Sequence, residues 1–274
     1  MKNLTQRALT ASVIFVVMTG GVILSQYTFL ILFFAINLLG LNEFYGLFRS
    51  AGVVPRKTTG MILSACLFIT SSLVVIGISD WKILLANIPF IFIIYLSELF
   101  LRAENPFGNL ALTFLGIIYI TLPLILFTAI PFLPPGAGIY HPHIILGCLF
   151  IAWSHDTGAY FIGKSFGRHP LFERISPKKT LEGSAGGILC AALVVYIISR
   201  GFPEINLSTW IIIASIIIVA GTFGDLVKSL MKRSLGIKDS GNILPGHGGI
   251  LDRFDTLLGS APFVFSYLAL FFKG

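Results

Sequence analysis

The chain has 274 residues, 55% hydrophobic and 11% charged, with 25 Phe against 12 Asp and Glu and a formal net charge of +7. A soluble domain carries about 25% charged residues, so too little polar surface is available here to cover a water-exposed globule. A soluble enzyme, a disordered chain and a coiled coil are excluded. Apolar stretches recur near the ~20 residues that one crossing of hydrocarbon needs, which predicts an all-α, polytopic helical membrane protein.

Nine such stretches follow in chain order, at about residues 8–24, 27–47, 59–79, 83–101, 110–133, 143–163, 184–199, 208–228 and 257–272. Backbone groups find no water in the bilayer core, so each stretch is expected to be a transmembrane helix. The first follows Lys2 and Arg7 and lacks a small-residue cleavage site before the second begins, so it is read as a retained anchor. With the N-terminus on the cytoplasmic side, 16 of the 19 Lys and Arg share that side; only Lys82, Arg200 and Lys273 fall opposite. Positive charge concentrates in cytoplasmic loops, which places the N-terminus inside and the C-terminus outside. The net positive charge is thereby explained by orientation and, in part, by phosphate recognition, with no nucleic acid as partner.

Residues 1–140, with spans one to five, read as scaffold and lipid access; residues 141–274, with spans six to nine and their cytoplasmic loops, read as the catalytic region. Cys66, Cys148 and Cys190 stand singly in apolar stretches, which argues against disulfides and structural zinc. His141-Pro142-His143 is read as a solvated outer loop. In the first half, Glu43 and Glu98 near the cytoplasmic ends of their spans are the exceptions to an otherwise inert composition.

Three clusters carry chemistry. Trp153-Ser154-His155-Asp156-Thr157-Gly158-Ala159-Tyr160 puts a carboxylate inside an apolar helix, where charge is costly unless paired or metal-bound, and sets Tyr160 on the same face at i+4. Ser176-Pro177-Lys178-Lys179-Thr180-Leu181-Glu182-Gly183 places two lysines and two hydroxyls before a glycine-rich helix start, whose N–H groups and dipole suit a phosphate as well as a simple topology anchor. The third runs from Gly224 to Asp255: Asp225, Ser229, Lys232-Arg233, Lys238-Asp239, Pro245-Gly246-His247-Gly248-Gly249, and Asp252-Arg253-Phe254-Asp255. Asp252 and Asp255 share a helical face at i, i+3, and Asp225 is expected to meet them at the inner leaflet if the helices pack. Hard carboxylates with room for water and substrate oxygens describe a Mg²⁺ site completed by phosphates, and the basic residues would neutralise charge on a transferring phosphoryl group.

The stretch Gly224–Asp255 resembles the signature of the phosphatidate cytidylyltransferase (CDP-diacylglycerol synthase) family through Ser229, Lys232-Arg233, Lys238-Asp239, His247-Gly248-Gly249, Asp252-Arg253 and Asp255. Asp156–Tyr160 and Ser176–Thr180 resemble the family's two earlier blocks, so the specific likeness covers about residues 150–260. One departure is Lys228, where many members carry Glu. The resemblance implies an integral enzyme of the bacterial cytoplasmic (inner) membrane, active on the cytoplasmic side, which joins CTP and phosphatidic acid into CDP-diacylglycerol and releases pyrophosphate. It implies Asp225 and Asp252 as metal ligands for Mg²⁺, with K⁺ as a candidate second cation and with Asp156 and Asp239 as further candidates. Asp225, Asp252, Asp255, Lys232 and Arg233 would form the catalytic set. Ser176, Lys178, Lys179, Thr180, Ser229, Lys238, His247, Gly248, Gly249 and Arg253 would hold substrate. A homodimer is an arrangement left open. The rival readings are a CTP-dependent polyprenol or phytol kinase, a secondary transporter with an Asp156–Asp225 relay, and a CDP-alcohol phosphotransferase.

Overall fold

The computed structural model describes every residue except 1, 49–52, 102, 134–137, 203, 238–239, 242–247 and 273–274, and the backbone alone for residues 2–5, 7 and 8. The helices are α1 (Lys2–Leu24), α2 (Gln26–Leu47), α3 (Lys57–Val75), α4 (Asn87–Phe100), α5 (Pro106–Gly116), α6 (Leu122–Ala129), α7 (Pro142–Phe166), α8 (Leu181–Gly201), α9 (Leu207–Ser234) and α10 (Leu251–Phe271). The nine expected stretches fall on helical chain. Among the described residues, 8 helical segments of 19 to 28 residues are long and apolar enough to cross a membrane; the remaining stretch lies on α1, whose apolar part is Leu9–Leu24. Large apolar side chains such as Phe92, Leu99, Phe100, Leu189 and Leu193 are exposed, a surface that suits lipid and not water.

The chain divides into two compact units. One comprises Met1–Phe132 with Asp239–Phe254, the other Leu133–Lys238 with Asp255–Gly274. In the first, α2 is the buried element, with Phe29, Phe33, Leu41 and Phe44 closed off from the surface. Phe33 packs against Phe127 of α6 with ring centroids 5.1 Å apart. Several polar groups buried here are paired, as apolar surroundings favour, while Asn37 Oδ1 and Ser72 Oγ are buried without a hydrogen-bond partner among the described residues. Asn37 Nδ2 donates to Ser64 Oγ at 2.8 Å, Ser64 meets Thr121 at 2.8 Å, and Tyr45 OH donates to the Thr113 carbonyl at 2.7 Å. The Glu98 singled out above is held by Arg56, whose Nη2 donates to Oε2 at 2.7 Å. The expected span at 110–133 is composite: α5 leads through a π-helical turn (Ile117–Thr121) into α6 and a 3-10 turn (Ile130–Phe132). Pro123 has no N–H with which to continue the α ladder there, and a π turn is a local way to absorb the break.

In the second unit, α7 and α8 lie against each other along small residues. A Cβ at Gly183 would come 2.8 Å from the Ala159 carbonyl, and one at Gly187 2.8 Å from the His155 carbonyl. Between these helices stands a short antiparallel hairpin, β1 (Pro170–Phe172) and β2 (Ser176–Thr180), within the polar loop expected at about 164–183. Buried Trp210 of α9 lies on Gly147 of α7. The cysteines Cys66, Cys148 and Cys190 are free thiols.

Candidate active site

Two constellations of charge emerge, one in each unit. The first begins on β2. Successive side chains of a strand point to opposite faces, so Lys178 is exposed while Lys179 turns inward, and Lys179 Nζ pairs with Asp225 Oδ2 of α9. One turn on, Lys228 Nζ reaches back to Asp225 Oδ1 at 3.1 Å and also pairs with Asp255 Oδ2 of α10. Lys228 is 4% exposed and Asp255 9%; charges this deep persist only when paired. The result is an alternating chain, Lys179–Asp225–Lys228–Asp255, with no net charge. Small residues make it possible: a Cβ at Gly224 would lie 2.7 Å from Gly259 Cα, so α9 and α10 approach backbone to backbone beside the two aspartates.

Local order at the hairpin comes from α8. Thr180 caps the helix by accepting from Gly183 N at 3.1 Å, a side-chain oxygen taking one of the orphan N–H groups of the first turn. Glu182 accepts from Arg168 N at 3.0 Å and His169 N at 3.2 Å and meets His169 Nδ1 at 2.5 Å. The glycines that open α8 allow its close packing on α7.

The second constellation lies in the first unit, around the start of α10. Ser240 N donates to Asp252 Oδ2 at 3.1 Å, and the Ser240 hydroxyl is 2.9 Å from the same oxygen. Glu43 of α2 stands behind them, pairing with Ser240 Oγ and accepting from Ile250 N at 2.7 Å and Leu251 N at 3.3 Å. Gly248, at φ +81°, sits beside this carboxylate; a Cβ there would be 3.2 Å from Asp252 Oδ2.

Other expected site residues are placed as follows. Asp156 is exposed, with His155 Nδ1 at 3.4 Å from its Oδ1. Lys232 is buried on α9; Arg233, at the helix end, is exposed and donates to the Ile237 carbonyl at 3.4 Å. Ser176, Thr180 and Ser229 are half-buried, Gly249 is buried against Glu43, and Arg253 is exposed on the first turn of α10. Lys238, Asp239 and His247 lie outside the described residues. Sequence reasoning passed over Lys228 as a working residue and left Ser240 unnamed. The i, i+3 spacing of Asp225 and Lys228 was the one available signal; Ser240 carried none.

Each unit offers a carboxylate of the kind Mg²⁺ prefers: Asp225, whose two oxygens are paired with Lys179 and Lys228, and Asp252, whose Oδ2 is held by Ser240. Among the described residues no three His, Cys, Asp or Glu form a ready-made cage.

The fold and its charged constellations define a polytopic helical membrane protein with paired lysines and carboxylates on its long helices. The chain belongs to the cytidylyltransferase family, whose family model matches residues 5–271, and is thus a nucleotidyltransferase. It is 36% identical to a phosphatidate cytidylyltransferase of Bacillus subtilis over 99% of this chain and 100% of the relative. It is 48% identical to phosphatidate cytidylyltransferases of Staphylococcus haemolyticus and Staphylococcus aureus over 122 residues, 44% of this chain. In those staphylococcal relatives the match spans about half their length, 46%.

Proposed function

We propose that the protein is a phosphatidate cytidylyltransferase that transfers the CMP moiety of CTP to phosphatidic acid, giving CDP-diacylglycerol and pyrophosphate. A phosphate oxygen of the lipid attacks the α-phosphorus of CTP, the bond from that phosphorus to the bridging oxygen breaks, and pyrophosphate leaves with the electron pair. No enzyme nucleophile is needed, so the protein's task is positioning and charge neutralisation. Bound Mg²⁺ would supply positive charge to the phosphates, with Asp225 and Asp252 as our candidate ligands; K⁺ remains our candidate for a second cation.

The observation that carries this reading is the Lys179–Asp225–Lys228–Asp255 chain within a cytidylyltransferase sequence matched along its length. Lysine and aspartate held together by ion pairing can be redistributed when a nucleotide arrives: Lys179 has a phosphate to turn to, while buried Lys228 stays as the fixed counter-charge between the aspartates. Lys178, Lys232, Arg233 and Arg253 are further phosphate-binding candidates. We place the reaction on the cytoplasmic side of the bacterial inner membrane, where soluble CTP and a bilayer-bound lipid can meet.

Purified protein given CTP labelled at the α-phosphorus, phosphatidic acid and Mg²⁺ is expected to form a labelled liponucleotide, and a chelator is expected to abolish it. Label transferred instead from the γ-phosphorus of CTP to a lipid alcohol would overturn the proposal in favour of a CTP-dependent kinase.

A further inference from the structure

Glu43 sits on α2, 6% exposed, far along the chain from any residue assigned to the reaction. A buried carboxylate is costly unless its oxygens are satisfied. Here they are, and among the described residues the satisfying donors come from one short stretch. Oε2 accepts from Ile250 N, and Oε1 accepts from Leu251 N and pairs with Ser240 Oγ. Leu251 is the first residue of α10, so Glu43 supplies from another helix what an N-cap side chain normally supplies locally: an acceptor for orphan N–H groups and a negative charge at the positive end of the helix. The neighbouring glycines are matched to it. A Cβ at Gly249 would collide with Glu43 Oε1, and one at Gly241 would come 3.0 Å from its carboxyl carbon.

Asp252, one residue into α10, is tied to the same support. The Ser240 hydroxyl has one proton and faces two carboxylates, Glu43 and Asp252 Oδ2, while the Ser240 backbone N–H holds Asp252 Oδ2 from the same side. Glu43 itself is buried, and its two oxygens accept from the backbone and hydroxyl of this one stretch.

We infer that Glu43 is a positioning residue for the reaction: it pins the first turn of α10 and, through Ser240, sets the orientation of the Asp252 carboxylate. The inference rests on the reading of Asp252 as a Mg²⁺ ligand. Hydrogen-bonded supports of metal-binding carboxylates are typically worth about 10- to 100-fold in metal affinity or activity.

The test uses the full-length protein in lipid nanodiscs, with Mn²⁺ as the probe ion and its free concentration read by electron paramagnetic resonance. Folding of each variant is checked by thermal melting. Ser240→Ala and Glu43→Gln are expected to weaken Mn²⁺ binding by about tenfold and to raise the half-saturating Mg²⁺ for turnover by a similar factor. Ser240→Ala should recover most of its kcat at saturating metal. Ser240→Thr, which keeps the hydroxyl, should bind Mn²⁺ within about threefold of the unaltered protein, a rescue that a packing role alone would not produce. Folded Ser240→Ala with unchanged Mn²⁺ affinity overturns the inference while Asp252→Asn still loses affinity. Unchanged affinity in Asp252→Asn as well would instead remove the metal assignment on which the inference stands.

Discussion

Lys228 is the most buried charge of its cluster, shared between Asp225 and Asp255. Its two partners distinguish stability from chemistry. Lys228→Met strands Asp255 in the interior, and loss of one partner of a buried pair costs about 3–5 kcal/mol; a large drop in melting temperature is expected. Lys179→Met leaves Asp225 paired with Lys228 and removes a half-exposed partner, worth on the order of 1 kcal/mol or less, so the fold should hold while turnover falls. Equal melting temperatures for the two variants would contradict this division. Asp225→Asn and Asp252→Asn should each reduce liponucleotide synthesis by on the order of 10²-fold or more at unchanged expression, and near-normal turnover in either would remove it from the metal site.

Among the elements, the close approach of α9 and α10 depends on glycine as well as on the Lys228–Asp255 ion pair. A Cβ on Gly224 meets backbone, Gly259 Cα at 2.7 Å and the Asp255 carbonyl at 3.1 Å. Neither can move aside by a rotamer change, so Gly224→Val must spread the helices and with them Asp225 and Asp255. Overpacking of this kind costs about 1–3 kcal/mol, and the activity lost should exceed that of a mere stability defect, since the ion-paired chain is pulled apart. Gly20 of α1 is the control: nothing lies within 4 Å of its Cβ position, and Gly20→Ala should be neutral or stabilising by up to about 1 kcal/mol in melting experiments. The helices were legible as apolar runs, and the Thr180 cap was implicit in a hydroxyl standing before a glycine-rich helix. The hairpin that divides Lys178 from Lys179 was not, because five residues rich in Lys and Pro carry no strand periodicity to read.

For the whole molecule, orientation is the property that decides which solvent the charged loops face. We propose the N-terminus inside and the C-terminus outside, from the charge asymmetry. In a chain with its native cysteines replaced, a single cysteine at Glu173 on the exposed hairpin should react with a membrane-impermeant thiol reagent in inverted vesicles and stay silent in intact cells. One at exposed Ile139 should show the reverse pattern. Matching accessibility at both positions would defeat the assignment.

Composition and hydropathy by themselves determined the membrane class, the sequence of spans and the stretch in which acid and base alternate, because the cost of burying backbone and charge in hydrocarbon acts locally on every segment. They could also mark Asp225, Asp252 and Asp255 as carboxylates too expensive to be idle. Only the tertiary structure decided which groups satisfy them. Glu43 and Ser240 are 197 positions apart, and Lys228 and Asp255 are 27. A buried charge takes whatever partner the crossing of distant segments brings within hydrogen-bonding distance, and that choice leaves no periodic trace in the chain.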